Sequence, residues 1–408
     1  MGTSTKFKVT CGVLGALTVA GVAAWIYQLM GGLGVTGMSN GTSWGLYITM
    51  FMFFVGLSAG GLIVASSASV FHVEKYKKVA LPAVILSTVC ICVAGMFILI
   101  DLGGIQRLWR IVTGPNPASP LVWDIVVITL YLVVNVVYLA LMTSKKPGAE
   151  GRVAIVSRFA LPIAILVHSV TAWIFGLQIG REGWYSAIMA PLFVVSAMDS
   201  GLALLLLALQ GLKAAGWFKV DKKLISSLAG LLATCIAIDG YLVACEVLTM
   251  AYPGAAGAET LAIMMAGPTA PFFWFEVIVG IVVPFCLLVF ARNRASSGIV
   301  TFASVCVVLG VFAKRCWLLL SSFATFNLGG SPGVISGSSA AAHGSGMASW
   351  AAVSSYVPTW TELVIAVGVI SLGALAFLLL SRKLLGLGAR AKAHVEAGIP
   401  AADAAAGA

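Results

Sequence analysis

Residues 165–202 read ILVHSVTAWIFGLQIGREGWYSAIMAPLFVVSAMDSGL. Two apolar runs flank a short turn whose one cation is Arg181, and each run holds an ionisable group, His168 in the first and Asp199 in the second. A charge at the centre of a spanning helix costs about 2.5–3.5 kcal/mol on insertion, so such residues mark function by default. The rest of the chain has the same apolar character. It is 60% hydrophobic and 9% charged, with a mean hydropathy of +1.05, whereas soluble domains carry roughly 25% charged residues. Apolar runs of about 20 residues, the length a spanning helix needs, recur throughout. The net charge of +10 does not indicate nucleic acid, because no basic patch is interleaved with aromatic residues.

Ten spanning segments are expected, at about 10–30, 44–71, 79–102, 122–143, 159–178, 186–212, 223–250, 271–291, 299–322 and 360–381. Lysine and arginine alternate sharply between the connections. One side carries Lys6, Lys8, Lys75, Lys77, Lys78, Lys145, Lys146, Arg152, Arg158, Lys213, Lys219, Lys222, Lys223, Arg292, Arg294, Arg382, Lys383, Arg390 and Lys392, nineteen in all. The other side has three, Arg107, Arg110 and Arg181, while Lys314 and Arg315 fall inside the ninth segment. The positive-inside rule places the nineteen, and both termini, in the cytoplasm. The first segment also resembles a secretory signal. No small-residue cleavage site precedes a polar start, so it reads as an uncleaved helix.

An internal repeat sets the architecture. MFFVGLSAGGLIV in the second segment lines up with LFVVSAMDSGLAL in the sixth, setting Gly61 against Gly201. PLVWD opening the fourth matches PFFWFE opening the eighth, pairing Pro120 with Pro271 and Trp123 with Trp274. Both matches keep the same orientation, as parallel repeats in membrane folds do. The expected fold is an all-α integral membrane protein with one transmembrane domain over residues 1–408. Helix 1 and an outer loop occupy 10–43, one four-helix bundle (helices 2–5) 44–178, and a second (helices 6–9) 186–322. A Gly/Ser/Ala-rich outer loop (323–358), helix 10 (360–381) and a low-complexity cytoplasmic tail (383–408) follow, with helices 1 and 10 peripheral.

Cofactor ligands are scarce. Cys11, Cys90, Cys92, Cys235, Cys245, Cys286, Cys306 and Cys316 lie in or at the ends of apolar segments, and none forms a CxxC pair. Iron–sulfur ligation needs clustered cysteines, so no metal site or cluster is expected in this chain. Of His72, His168, His343 and His394, one reaches membrane depth, which leaves a bis-histidine haem without its second ligand.

His168 lies ten residues into the fifth expected segment, near the midplane, and Asp199 and Asp239 reach similar depth. Glu246, Lys314 and Arg315 lie somewhat outward, and Asp101, Asp124, Glu276 and Glu362 occupy outer helix ends. The inner halves have no matching acids, so a polar pocket opens outward and stops at the midplane. Plainer readings stand beside this one. Asp101, Asp124 and Glu362 are also ordinary interfacial groups. Lys314 or Arg315 also neutralises Glu246 or Asp239 in an ion pair, and His168 also serves as a packing residue. Gly56, Gly60, Gly61 and Gly201 most simply permit close helix packing. Asp199 resists a plain reading, because an unpaired buried carboxylate needs a proton or a partner.

The chain at this point resembles the NrfD/PsrC membrane subunits of bacterial respiratory oxidoreductases. The match rests on WGLYITMFMFFVGLSAGG (44–61), LIDLGGIQRLWRIVTGPNPASPLVWD (99–124), the opening stretch and GVFAKRCWLL (310–319). The resemblance implies a haem-free subunit of the bacterial cytoplasmic membrane that binds menaquinone near the outer face. It implies electron exchange with an extracytoplasmic ferredoxin-like iron–sulfur subunit, alongside further molybdopterin-type or multihaem cytochrome subunits. Tyr47, Asp101, Arg107, Trp123, His168 and Trp184 become the candidate quinone lining, with His168 exchanging a proton that Asp199 relays. Asp199, Asp239, Glu246, Glu276 and Arg315 become a proton path, which Ser226, Ser227 and Thr234 are expected to extend inward through water. The alternative is a secondary transporter, which also fits ten helices, a repeat and midplane charges. Against it, the repeat is parallel and no pair of broken half-helices is evident.

Overall fold

A computed structural model describes residues 5–39, 41–70, 73–144, 146, 148–181, 183–252, 255–324 and 356–396. Ten of its helices are long and apolar enough to cross a membrane, and there is no strand among the described residues. They are α1 (Thr5–Gly31), α2 (Leu46–Val70), α3 (Ala80–Asp101), α4 (Pro120–Met142), α5 (Ala149–Gly176) and α6 (Met189–Ala214). After them come α7 (Lys222–Ala251), α8 (Ala270–Leu288), α9 (Ser297–Ala324) and α10 (Trp360–Glu396). Hydrocarbon offers backbone groups no partner, so each span must close its own hydrogen bonds. Side-chain hydroxyls follow the same economy: Thr88 donates to Val84 O and Thr129 to Ile125 O, one turn back in each case.

The packing forms two closed rings. In the first, α2 packs on α3, α3 on α4, α4 on α5 and α5 back on α2; α6 to α9 repeat that circuit. The rings join through α2 against α6 and α9, and through α5 against α6, while α1 and α10 pair with each other outside α3. The equivalent helices α4 and α8 also start alike. Each has a proline in its first turn, where a missing N–H is harmless. In each, a tryptophan indole folds back onto the preceding connection, Trp123 onto Pro117 O (2.6 Å) and Trp274 onto Met265 O (2.9 Å).

Three glycine pairs fix the crossings, Gly60 with Gly201 (α2/α6), Gly280 with Gly310 (α8/α9) and Gly21 with Gly368 (α1/α10). At each of these positions a β-carbon would fall inside the partner's backbone. Helices in lipid gain from such close approach, because hydrocarbon gives them no hydrophobic drive to associate. Gly201→Leu is therefore expected to lower stability by about 1–3 kcal/mol or more. Thermal unfolding in detergent reads this against Gly211→Ala on the same helix, where nothing lies within reach.

The structure departs from the expected boundaries in four places. Helix α5 begins at Ala149 rather than near 159, since its basic, amphipathic first turns continue the helix past the apolar run. His168 consequently lies nearly twenty residues into α5 and eight short of Gly176, about 12 Å from that end at 1.5 Å per residue. An added short helix, Ala255–Met265, sits in the connection from α7 to α8. Within α8, Glu276–Val282 winds as a π-helical stretch ahead of Pro284, which has no N–H to return to Gly280 O. Helix α10 runs on to Glu396, so what was expected as a tail from 383 starts as helix. The outer loop at 325–355, residues 397–408, Lys145, His72 and His343 lie outside the described residues.

Contacts between connections identify the two ends of the molecule. Phe7 at the start of α1 meets Trp217 in the α6–α7 connection and Arg382 near the end of α10. Lys75 and Lys78 in the α2–α3 connection reach Ser227 and Asp221 near the start of α7. These form the basic end. At the opposite end Glu362 of α10 accepts from Gly37 N (2.7 Å), Thr359 N (2.8 Å) and the Tyr356 hydroxyl, pinning the α1–α2 connection to α10. Burial, with the Glu362 carboxylate beside it, pushes the Tyr356 phenol pKa up and keeps it a donor to that carboxylate.

Candidate functional site

Lys314 and Arg315 are adjacent on α9, and about 100° of helical rotation separates neighbours. They therefore face different helices. Both are fully buried, at 0% exposure. Lys314 Nζ lies 2.8 and 3.0 Å from the two carboxylate oxygens of Asp239 on α7 and 3.2 Å from Glu276 Oε1 on α8. The other Glu276 oxygen accepts from the Trp317 indole. The π-helical turn starting at Glu276 thus carries a carboxylate that closes the ring of α7, α8 and α9 around one ammonium.

Arg315 turns the other way, toward α6. Its Nη2 donates to Ser196 Oγ at 2.6 Å and its guanidinium stacks over Phe193 at 4.1 Å. The Nε and Nη1 groups have no partner among the described residues. Asp199, one turn on from Ser196, is likewise buried, with Oδ1 unpartnered among the described residues. Glu246 is set apart, accepting from Ser186 Oγ (2.8 Å) of the α5–α6 turn.

The equivalent position in the first ring belongs to His168. It reaches from α5 to α2 as Arg315 reaches from α9 to α6. Its Nδ1 lies 2.6 Å from Ala164 O and its Nε2 3.0 Å from Val55 O. Two carbonyls facing two ring nitrogens suit an imidazolium, which has two N–H donors; a neutral ring satisfies one and repels the other. The tie between α5 and α2 therefore changes strength with one proton. Nearby, Asp124 Oδ1 accepts from Thr171 (2.6 Å), and Tyr131 joins Ser58 (2.9 Å) and Ser87 (2.8 Å) in a neutral hydroxyl network.

The candidate quinone lining divides into groups. Tyr47 donates to Gln28 Oε1, Gln28 donates to Ile100 O (3.1 Å), and Asp101 and Glu362 both act electrostatically on the Tyr47 phenol. Asp101 Oδ1 is buried there without a partner among the described residues. Trp184 sits between the two rings, stacked on Trp44 at 6.0 Å with its indole donating to Leu318 O (2.8 Å). Phe175, Phe193 and Phe323 continue this aromatic cap down to Arg315. Trp123 is partly exposed at the start of α4, and Arg107 is exposed. The hydroxyls expected to lead inward do not line up. Thr234 is exposed on the outer surface of α7, and Ser227 is taken by Lys75 (2.8 Å) and Tyr76 (3.1 Å) at the basic end. Gln28, Trp44, Ser196 and Trp317 belong to these clusters although none is charged; Trp44, Ser196 and Trp317 fall within the stretches that carry the resemblance, and Gln28 lies outside them.

The buried charged groups lie toward one end of the molecule. Among the described residues every buried Asp, Glu, Lys, Arg or His lies within twelve residues of the non-basic end of its helix, with Asp239 the deepest from Ala251. No cluster of three or more His, Cys, Asp or Glu able to hold a metal occurs among the described residues.

Comparison with known proteins matches residues 34–327 to the family described as polysulphide reductase, NrfD. The chain is 38% identical over 384 residues to a putative membrane subunit of dimethyl sulfoxide reductase from Halobacterium salinarum, covering 89% of this chain and 88% of that one. It is 30% identical over 321 residues to an Hdr-like menaquinol oxidoreductase integral membrane subunit of Archaeoglobus fulgidus, covering 78% and 80%. It is 25% identical over 345 residues to a subunit of the selenate reductase of Mesobacillus selenatarsenatis, covering 76% and 80%.

Proposed function

We propose, because this chain belongs to the NrfD, polysulphide reductase, family, that it is the quinone-reactive subunit of a respiratory oxidoreductase complex. That it is a multi-span membrane subunit of such a complex follows from the family and the ten apolar helices. Menaquinone as the quinone, an extracytoplasmic iron–sulfur partner and the absence of haem from this chain are our reading. One observation carries it: the buried Asp, Glu, Lys, Arg and His side chains among the described residues all lie toward the end away from the basic one. The positive-inside rule sets that end toward the outside, where an iron–sulfur partner would dock.

A bound quinone supplies two-electron chemistry accompanied by two protons. The unpartnered Asp101 oxygen would accept from a quinol hydroxyl or, once protonated, donate to a quinone oxygen, so Asp101 and Tyr47 would hold the ring. Arg107, Trp123 and Trp184 would border it. His168 would give or take a proton, breaking or making its contact with Val55 O. Asp199, Asp239, Glu276 and Arg315 would hold protons and countercharge, with Glu246 and Ser186 connecting that store to the outer surface.

Purification tests the reading. The chain should bring an iron–sulfur protein and menaquinone with it, and once stripped of partners it should show no visible absorption. A chain that comes out alone and quinone-free would favour the transporter. Stoichiometric haem retained by the stripped chain would end the haem-free assignment. Orientation has its own test: reporter fusions after residues 145, 220 and 385 should read cytoplasmic, and those near 112, 260 and 340 external. Reversal at two or more of these points would turn the site inward.

A further inference from the structure

Between α2, α6 and α7, in the half nearer the basic end, lies a cavity of about 270 Å³ that none of the roles above uses. Met198 and Cys235 form its deep end, Ile63, Val64 and Leu231 line its walls, and Tyr76 stands at its mouth. Gly60 and Ser67 both border it, and seven residues of α2 separate them, about 10 Å at 1.5 Å per residue. The space is thus a slot, long relative to its width. Its walls are almost wholly apolar, and apolar cavities do not hold water, which needs polar partners. A hydrocarbon chain meets both conditions of shape and polarity.

The mouth supplies the second observation. Lys75 Nζ donates to Ser227 Oγ at 2.8 Å and lies 5.2 Å from the Tyr76 ring centroid, and the Tyr76 hydroxyl lies 3.1 Å from the same Ser227 oxygen. Lys78 of the α2–α3 connection, paired with Asp221 at 3.4 Å, and the exposed Lys222 and Lys223 that open α7 stand at the same end. Basic groups at the membrane surface beside a crevice between helices recruit anionic headgroups. We propose that the slot is a lipid site, holding one acyl chain of an anionic phospholipid from the basic-end leaflet with its phosphate at Lys75.

Met198 is the neighbour of Asp199, and Cys235 stands one turn before Asp239, so the seated chain would end directly beneath the buried acids. It would close them to water from the basic side and leave Glu246 as their route out. Only this consequence for proton traffic rests on the quinone reading; the lipid site itself does not.

The test uses the purified complex in vesicles of phosphatidylglycerol or phosphatidylcholine containing a trace of the same lipid with a photoreactive acyl chain. Cross-links mapped by mass spectrometry should fall on the segments holding Ile63–Ser67 and Leu231–Cys235. Ser67→Phe, which fills the slot, should abolish them while cross-links to the exposed face of α4 at Val126 and Val133 persist. Lys75→Gln should weaken the preference for phosphatidylglycerol by about fivefold without emptying the slot in phosphatidylcholine. Cys235 should resist a charged methanethiosulfonate added from the basic side. Modification of Cys235 by that reagent would mean water in place of lipid and would overturn the proposal. So would slot cross-links that Ser67→Phe leaves unchanged, or equal labelling by the two lipids in the unmodified protein. Loss of quinone turnover with slot cross-links intact would count against the quinone reading alone.

Discussion

Lys314→Met should leave almost no folded protein in the membrane. The substitution removes the one cation that Asp239 and Glu276 share, at 2.8 and 3.2 Å, from a site with no exposure. Removing one partner of a buried pair typically costs about 3–5 kcal/mol, because the charge left behind is uncompensated, and here two carboxylates are left. That approaches the roughly 5–15 kcal/mol that a whole domain commonly has. Replacing all three together, Lys314→Met with Asp239→Asn and Glu276→Gln, leaves no formal charge at any of the three positions and should restore accumulation. Membrane-fraction yield and thermal unfolding read both variants. If the triple variant accumulates and still turns over quinone, the cluster is structural. If it accumulates without turnover, the cluster belongs to the proton store. A single variant as stable as the parent would refute the pairing itself.

His168→Ala carries the other large effect, on turnover. If His168 exchanges a proton with the quinone, turnover should fall by about 10²–10⁴-fold, the usual loss with a general acid–base group. Assembly should persist, because the alanine leaves Ala164 O and Val55 O to helical backbone partners they already have. A purely packing role predicts the reverse, with failed assembly or retained activity. His168→Gln separates the two further. Glutamine keeps a donor for Val55 O but titrates nowhere near neutral pH, so it should rescue any lost stability and leave turnover depressed.

The sequence made some features legible and hid others for physical reasons. Hydropathy finds a span wherever hydrocarbon must be filled, so all ten helices were visible. It stops where a helix leaves the membrane, which is why the first ten residues of α5 and the far end of α10 were missed. The one-sided charge was legible too, because depth follows from counting along a span. Pairing was not. Whether Lys314 meets Glu246, Asp239 or Glu276 depends on how α7 and α8 are rotated, and the π-helical stretch at Glu276 resets that rotation within α8. For the same reason a hydroxyl in the right segment, Thr234, turned out on the exposed face. Gln28 under Tyr47 needed knowledge that α1 packs beside α3.

The one-sided burial also has an electrical meaning. Asp199 lies ten residues from Met189, about 15 Å along α6 at 1.5 Å per residue, and a bilayer's hydrocarbon is about 30 Å thick. A proton carried from the outer surface to Asp199 therefore crosses about half the membrane voltage. A full crossing corresponds to about 2.3 kcal/mol per 100 mV, so this step senses roughly 1.1 kcal/mol, and steps ending at Glu246 sense less still. On the proposed reading a proton passing from the outer face to Asp199 moves with the field of an outside-positive membrane, and its return is opposed by only about half the full voltage.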